Sequence, residues 1–178
     1  MARGNAALLL TAILLAGLSS GCLNPFDSCP TEGRTMRAES GLTADAVVPS
    51  AATNDSGSAS VSFLQFKGGK ENQKSLSWSV RGSVPPDSVE AVHIHGGLPG
   101  ETGPILYTFR GGYSGPEDVI TQGGPALWGG STEGFEELFE AVLAGQAYLD
   151  VHTTAQPDGV VRGQLSVVMH SDWHDSCT

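Results

Sequence analysis

The stretch "SLSWSV", residues 75–80, alternates Leu76, Trp78 and Val80 with three serines. Successive side chains of a strand point to opposite faces, so this spacing gathers the bulky apolar groups on one side and the hydroxyls on the other. Neighbouring segments share the period. Upstream, "SVSFLQF" (60–66) sets Val61, Phe63 and Gln65 on one side. Downstream of the "VPPD" breaker come "SVEAVHIH" (88–95), "PILYTF" (104–109), "AYLDVHT" (147–153) and "VVRGQLSVV" (160–168). Short strands with turn residues between them predict an all-β chain folded as an antiparallel sandwich or barrel.

Two segments depart from this pattern. Residues 110–131 are rich in glycine and too long for a simple turn, which predicts a surface excursion or a binding loop. Next, "STEGFEELFEAVLAG" (131–145) reads as one short inserted helix. Ser131 or Thr132 caps it, Glu133, Glu136 and Glu137 favour its N-terminal end, and Gly145 follows the last apolar residue. Phe135, Leu138, Phe139 and Val142 form its apolar face, as expected of a crossover that packs on the core.

The N-terminus reads as a leader. Arg3 precedes the uncharged run "AALLLTAILLAGL" (6–18), short for a membrane span and right for a signal segment. "LSSGC" (18–22) resembles the lipobox of bacterial lipoproteins, in which the cysteine becomes the lipid-bearing N-terminus, although Leu18 stands four rather than three positions before Cys22. The expected organisation is a signal peptide over 1–21, a lipid-anchored tether over 22–40, a β domain over 41–170 and a tail over 171–178. With Cys22 acylated, Cys29 and Cys177 remain as a pair, and the oxidising compartment reached by export lets a disulfide between them persist. Closing so long a loop contributes roughly 4–5 kcal/mol in the chain-entropy model.

The whole sequence carries a net charge of −10, and cleavage before Cys22 removes Arg3 and no acid. So acidic a chain has no electrostatic footprint for nucleic acid and is repelled by anionic lipid heads. Attachment to a membrane would therefore come from the lipid on Cys22.

Chemistry concentrates in two strands. In "VEAVHIHGG" (89–97), His93 and His95 share a face with Val89 and Ala91, opposite Val92 and Ile94. In "YLDVHT" (148–153), Tyr148, Asp150 and His152 share a face, opposite Leu149 and Val151. If the strands are neighbours with their aliphatic faces inward, His93, His95, Asp150 and His152 converge. The first reading is a hydrogen-bond network that fixes a corner of the sheet. The alternative is a ligand set for zinc or copper, which accept imidazole and carboxylate. In the tail, His170 and His174 stand four apart beside Asp172 and Asp175, a metal-holding arrangement only on a helix. No nucleophile-elbow or phosphate-loop motif occurs in the sequence.

These blocks resemble the CHRD domain, named for chordin and found in many exported bacterial proteins. The resemblance rests on "AVHIHGGLPGETGPILYTF" (91–109) and "LAGQAYLDVHTTAQPDGVVRGQL" (143–165), with "GSASVSFLQF" and "SLSWSVRG" ahead of them, and spans roughly 41–168. It implies an immunoglobulin-like or related Greek-key antiparallel β-sandwich, an extracellular setting and no established catalytic activity. Carried over by position, the family's recurring polar residues fall on His93, His95, His152, Thr153, Arg162 and Gln164. Asp150 stands where the family usually has asparagine, which strengthens a metal set. Val160 stands where it usually has glutamate, which removes a partner for Arg162. The His-x-His strand is also similar to copper/zinc superoxide dismutase, but that chemistry needs a bridging histidine, and two of the five histidines here lie in the tail. The expectation is a monomeric, non-catalytic binding or structural module of the bacterial cell envelope that meets an extracellular protein or polysaccharide and has no firmly required cofactor. A zinc or copper protein is the alternative, and a metal-dependent oxidoreductase ranks third.

Overall fold

The computed structural model describes residues 32–67, 73–109, 119–127 and 132–174. Nine strands and one helix follow in the order β1 (Glu32–Thr43), β2 (Ser56–Lys67), β3 (Gln73–Gly82), β4 (Val89–Gly96), β5 (Ile105–Thr108), β6 (Val119–Leu127), α1 (Thr132–Leu143), β7 (Ala147–Thr153), β8 (Gln156–Gln164) and β9 (Ser166–His174). They form one curled antiparallel sheet ordered β5-β4-β7-β8-β1-β2-β3-β6, with β9 also paired to β1. Where β8 passes into β9 the two share one register along β1, with Thr43 facing Arg162 and Glu39 facing Ser166, before irregularities at Arg37/Ala38 and Gly33/Thr35 shift the rest of β9. The chain thus passes from pairing with β7 to pairing with β1 across Leu165. Cysteines 22, 29 and 177, and the leader, lie outside the described residues.

The period-two reading holds where it was clearest. Leu76 and Val80 are fully buried, as are Val61 and Phe63 on the paired strand β2. Inside the curl they meet Val92, Ile94, Leu149 and Val151, a continuous apolar core. Helix α1 adds Phe135, Leu138, Phe139 and Val142, all fully buried. Phe63 meets Phe135 and Phe139 edge-on, with ring centroids 5.9 and 5.7 Å apart. Such edge contacts favour aromatic quadrupoles beyond simple burial.

The structure corrects four expectations. Residues 32–40, expected as tether, belong to β1, where Met36 and Ala38 are fully buried. Part of the glycine-rich excursion is strand β6, paired to β3, while 110–118 and 128–131 lie outside the described residues. "VVRGQLSVV" is divided between β8 and β9, and β9 takes in 171–174 of the expected tail. Finally, Val89 does not share the histidine face. A bulge between Val89 and Ala91 adds one residue against β7, so Val89 turns inward to the core.

α1 is also fastened by charge. Buried Arg34 and Lys74 both reach Glu136, and Gln65 bonds Arg34 and Glu136 at 2.7 and 2.9 Å. The guanidinium of Arg34 lies 4.0 Å from the centroid of the Phe139 ring. The inward positions Arg34 and Gln65 therefore interrupt the apolar face where the helix acid pairs with the first and accepts a hydrogen bond from the second.

Candidate functional site

Strands β4 and β7 are neighbours. Their register sets His93 against Asp150, His95 against Tyr148 and Ala91 against His152. With Val92, Ile94, Leu149 and Val151 in the core, the intervening residues go to the outer face. Irregularities then aim the rings. One lies between Ile94 and His95 on the β5 side, and another between Val151 and Thr153 on the β8 side. Bulges of this kind bend a strand and redirect side chains.

The four expected residues meet in one cluster, with one ligand atom from each of His93, His95, Asp150 and His152 lying within 4.8 Å of all the others. Asp150 is 7% exposed. Its Oδ1 lies 3.3 Å from His95 Nε2 and 3.0 Å from His152 Nε2. Neither contact has hydrogen-bond geometry. Together with His93 Nδ1, these are buried atoms without a hydrogen-bond partner.

The far nitrogens of two rings are fixed by the backbone. His95 Nδ1 meets the Gly103 carbonyl and His152 Nδ1 the Pro157 carbonyl, each at 2.9 Å. A carbonyl only accepts, so Nδ1 carries the proton in both rings, and the Nε2 of a neutral ring presents its lone pair to the cluster. Burial opposes the charge on Asp150, but His152 and His95 outweigh it and lower its pKa to about 2. The carboxylate raises His152 against burial. In His95, burial is likewise outweighed by Asp150 and the Gly103 carbonyl, so its pKa also rises. His93 goes the other way, lowered by burial and by the neighbouring His152.

The remaining polar residues hold the loop over 97–104 against this face. Arg162 Nη2 donates to the Glu101 carbonyl at 2.6 Å and the Leu98 carbonyl at 3.4 Å, and Gln164 Nε2 donates to the carbonyls of Gly97 and Gly145, each at 2.9 Å. Tyr148 is sandwiched, its ring stacked on His95 at 4.9 Å and covered by the Arg162 guanidinium at 3.4 Å. Its hydroxyl accepts from the Gly103 N–H at 3.2 Å. Gly103 must be glycine, since a Cβ there would collide with the Gly96 carbonyl. Thr153 serves the next turn, its hydroxyl accepting from the Gln156 N–H at 3.1 Å.

The site residues beyond the expected ones are Tyr148 and the carbonyls of Gly103 and Pro157. Tyr148 was legible as a face-mate of Asp150; the carbonyls carry no side-chain signal. Arg162 does not want for the glutamate replaced by Val160, because it uses loop carbonyls instead. His170 and His174 lie on strand β9, and His174 Nδ1 meets the Ser171 hydroxyl and the Asp172 carbonyl, so the helical arrangement does not form.

The fold and site define a β-rich module whose polar outer rows are buried beneath its own loop. The CHRD domain model matches residues 38–165, and the chain belongs to the CHRD family. No curated protein and no solved structure matches the chain.

Proposed function

We propose that the chain is a non-catalytic binding or structural module of the bacterial cell envelope. In this reading the leader exports it, lipid on Cys22 holds it at a membrane, Cys29 and Cys177 pair, and the monomer offers a rigid surface to an extracellular protein or polysaccharide. The supporting observation is the use made of the motif: Arg162, Gln164 and His95 all bond main-chain carbonyls of the 97–104 loop. That use gives the loop a fixed shape, which lowers the ordering cost of binding. The passage of β8 into β9 along β1 further supports an immunoglobulin-like or Greek-key sandwich, in which one strand serves both layers.

Detergent phase partition of the full chain expressed in a bacterium tests the anchoring. The mature protein should enter the detergent phase, and the Cys22→Ser variant should be exported to the aqueous phase. An uncleaved chain left in the cytoplasm would sink the reading. Loop display is read separately by amide exchange, which should be slow over 97–104 and accelerate in Gln164→Ala.

A further inference from the structure

We propose that His93 Nδ1, His95 Nε2, His152 Nε2 and Asp150 Oδ1 form a closed four-ligand site for a divalent transition metal, zinc or copper, which staples β4 to β7. The inference is independent of how the chain is anchored and of what its loop presents.

Buried polar groups find hydrogen-bond partners, and a cluster that does not needs a physical reason. Here the orphaned atoms belong to four residues whose ligand atoms all lie within 4.8 Å of one another. Two neutral imidazole lone pairs directed at one carboxylate oxygen repel it, so a cation between them is the arrangement that turns all three contacts favourable. Protons fit less well. Protonating both rings would aim two N–H groups at a single oxygen without the geometry of a hydrogen bond.

Distances agree. Bonds of about 2.0–2.1 Å place neighbouring donors of a tetrahedron about 3.3 Å apart, and Asp150 Oδ1 lies 3.3 and 3.0 Å from two imidazole nitrogens. The surroundings agree too. A ligating histidine usually gives its other N–H to a carbonyl or carboxylate, which fixes tautomer and orientation. His95 and His152 do so through Gly103 and Pro157. Tyr148 stacked on His95, with Arg162 over its other face, further holds that ring in place.

The donor set selects the ion. Three nitrogens and one oxygen suit zinc or copper, whereas calcium and magnesium require mostly oxygen donors. For zinc, four protein ligands leave no position for substrate on a tetrahedral ion, which makes the site structural. The ion would lie beside the seat of the 97–104 loop, because His95 reaches the metal through one nitrogen and the loop through the other.

The test is metal content of the purified full chain after equilibration with zinc or copper at neutral pH and removal of free ion. About one equivalent should remain bound, calcium and magnesium should not displace it, and His170→Ala/His174→Ala should retain it. His93→Ala/His152→Ala should lower affinity by about 100-fold or more, since loss of outer-shell partners alone costs 10–100-fold. If that variant does not fold, cobalt(II) in the parent decides, because a four-coordinate N3O site gives intense visible absorption. A folded parent that retains no ion, cobalt lacking those bands, or binding abolished by the tail variant would each overturn the proposal.

Discussion

Glu136→Gln isolates the electrostatic fastening of α1. The carboxylate touches Arg34 and Lys74, whose side chains are 10% and 6% exposed, and accepts from Gln65. Removing one member of a fully buried ion pair costs roughly 3–5 kcal/mol, chiefly because the partner's charge stays buried. Glu136 itself is 39% exposed, and Glu140 remains 3.3 Å from Arg34, so solvent and a second acid compensate for part of the loss. We therefore expect about 2 kcal/mol. With a urea slope of about 2 kcal/mol/M, the midpoint should fall by about 1 M with the slope unchanged. Acid supplies a second reading. Burial opposes the charge on Glu136, but Lys74, Gln65 and Arg34 outweigh it and hold the native group below its ordinary value of 4.5. A depressed native pKa contributes stability that is complete above the unfolded value and lost as pH falls through the native one. The gap between parent and variant should thus be full at pH 7 and close on acidification below 4.5. Equal midpoints at pH 7, or a gap that persists in acid, would refute the reasoning.

Phe63→Ala should cost about 4 kcal/mol in urea unfolding, because it opens a cavity against both Phe135 and Phe139. Gln164→Ala removes the donor to two loop carbonyls and should cost about 2 kcal/mol, measured the same way. Gly103→Ala should cost more than about 1 kcal/mol, since the new Cβ displaces the loop from Gly96. Its amide exchange should accelerate over 97–104 and leave Val92 and Val151 protected.

The stretches that were most legible are those whose inward residues are apolar. "SLSWSV" and "YLDVHT" declare their faces, and the second set Asp150 and His152 on the side where they are found. β1 was hidden because its inward positions, Arg34, Met36, Ala38, Ser40 and Leu42, mix charge and hydroxyl with apolar groups. Arg34 reads as solvated until Gln65 and Glu136, distant in sequence, arrive beside it. The continuation of β9 past Val168 was hidden for another reason: the strand is largely exposed along its length, including Val168 and Met169, so neither face imposes a period. Val89 failed because an inserted residue inverts alternation, and a bulge leaves no composition signal.

The candidate site was legible as a set of residues but not as a buried one. Alternation assigns Asp150 and Arg162 to the outer face, where polar residues ordinarily meet water, yet they are 7% and 4% exposed, Asp150 among three histidines and Arg162 against the carbonyls of the 97–104 loop. The two stand opposite each other in register, which would ordinarily give an ion pair. Arg162 turns instead to the Tyr148 ring and the carbonyls of Leu98 and Glu101. The near cation is thereby committed to the loop, and the carboxylate is left facing three imidazoles. An anion so placed is costly unless positive charge reaches it. The choice of partner by Arg162 therefore leaves the neutralisation of Asp150 to the cluster, through His95 and His152 or through the proposed ion, and it ties loop and cluster into one outer layer.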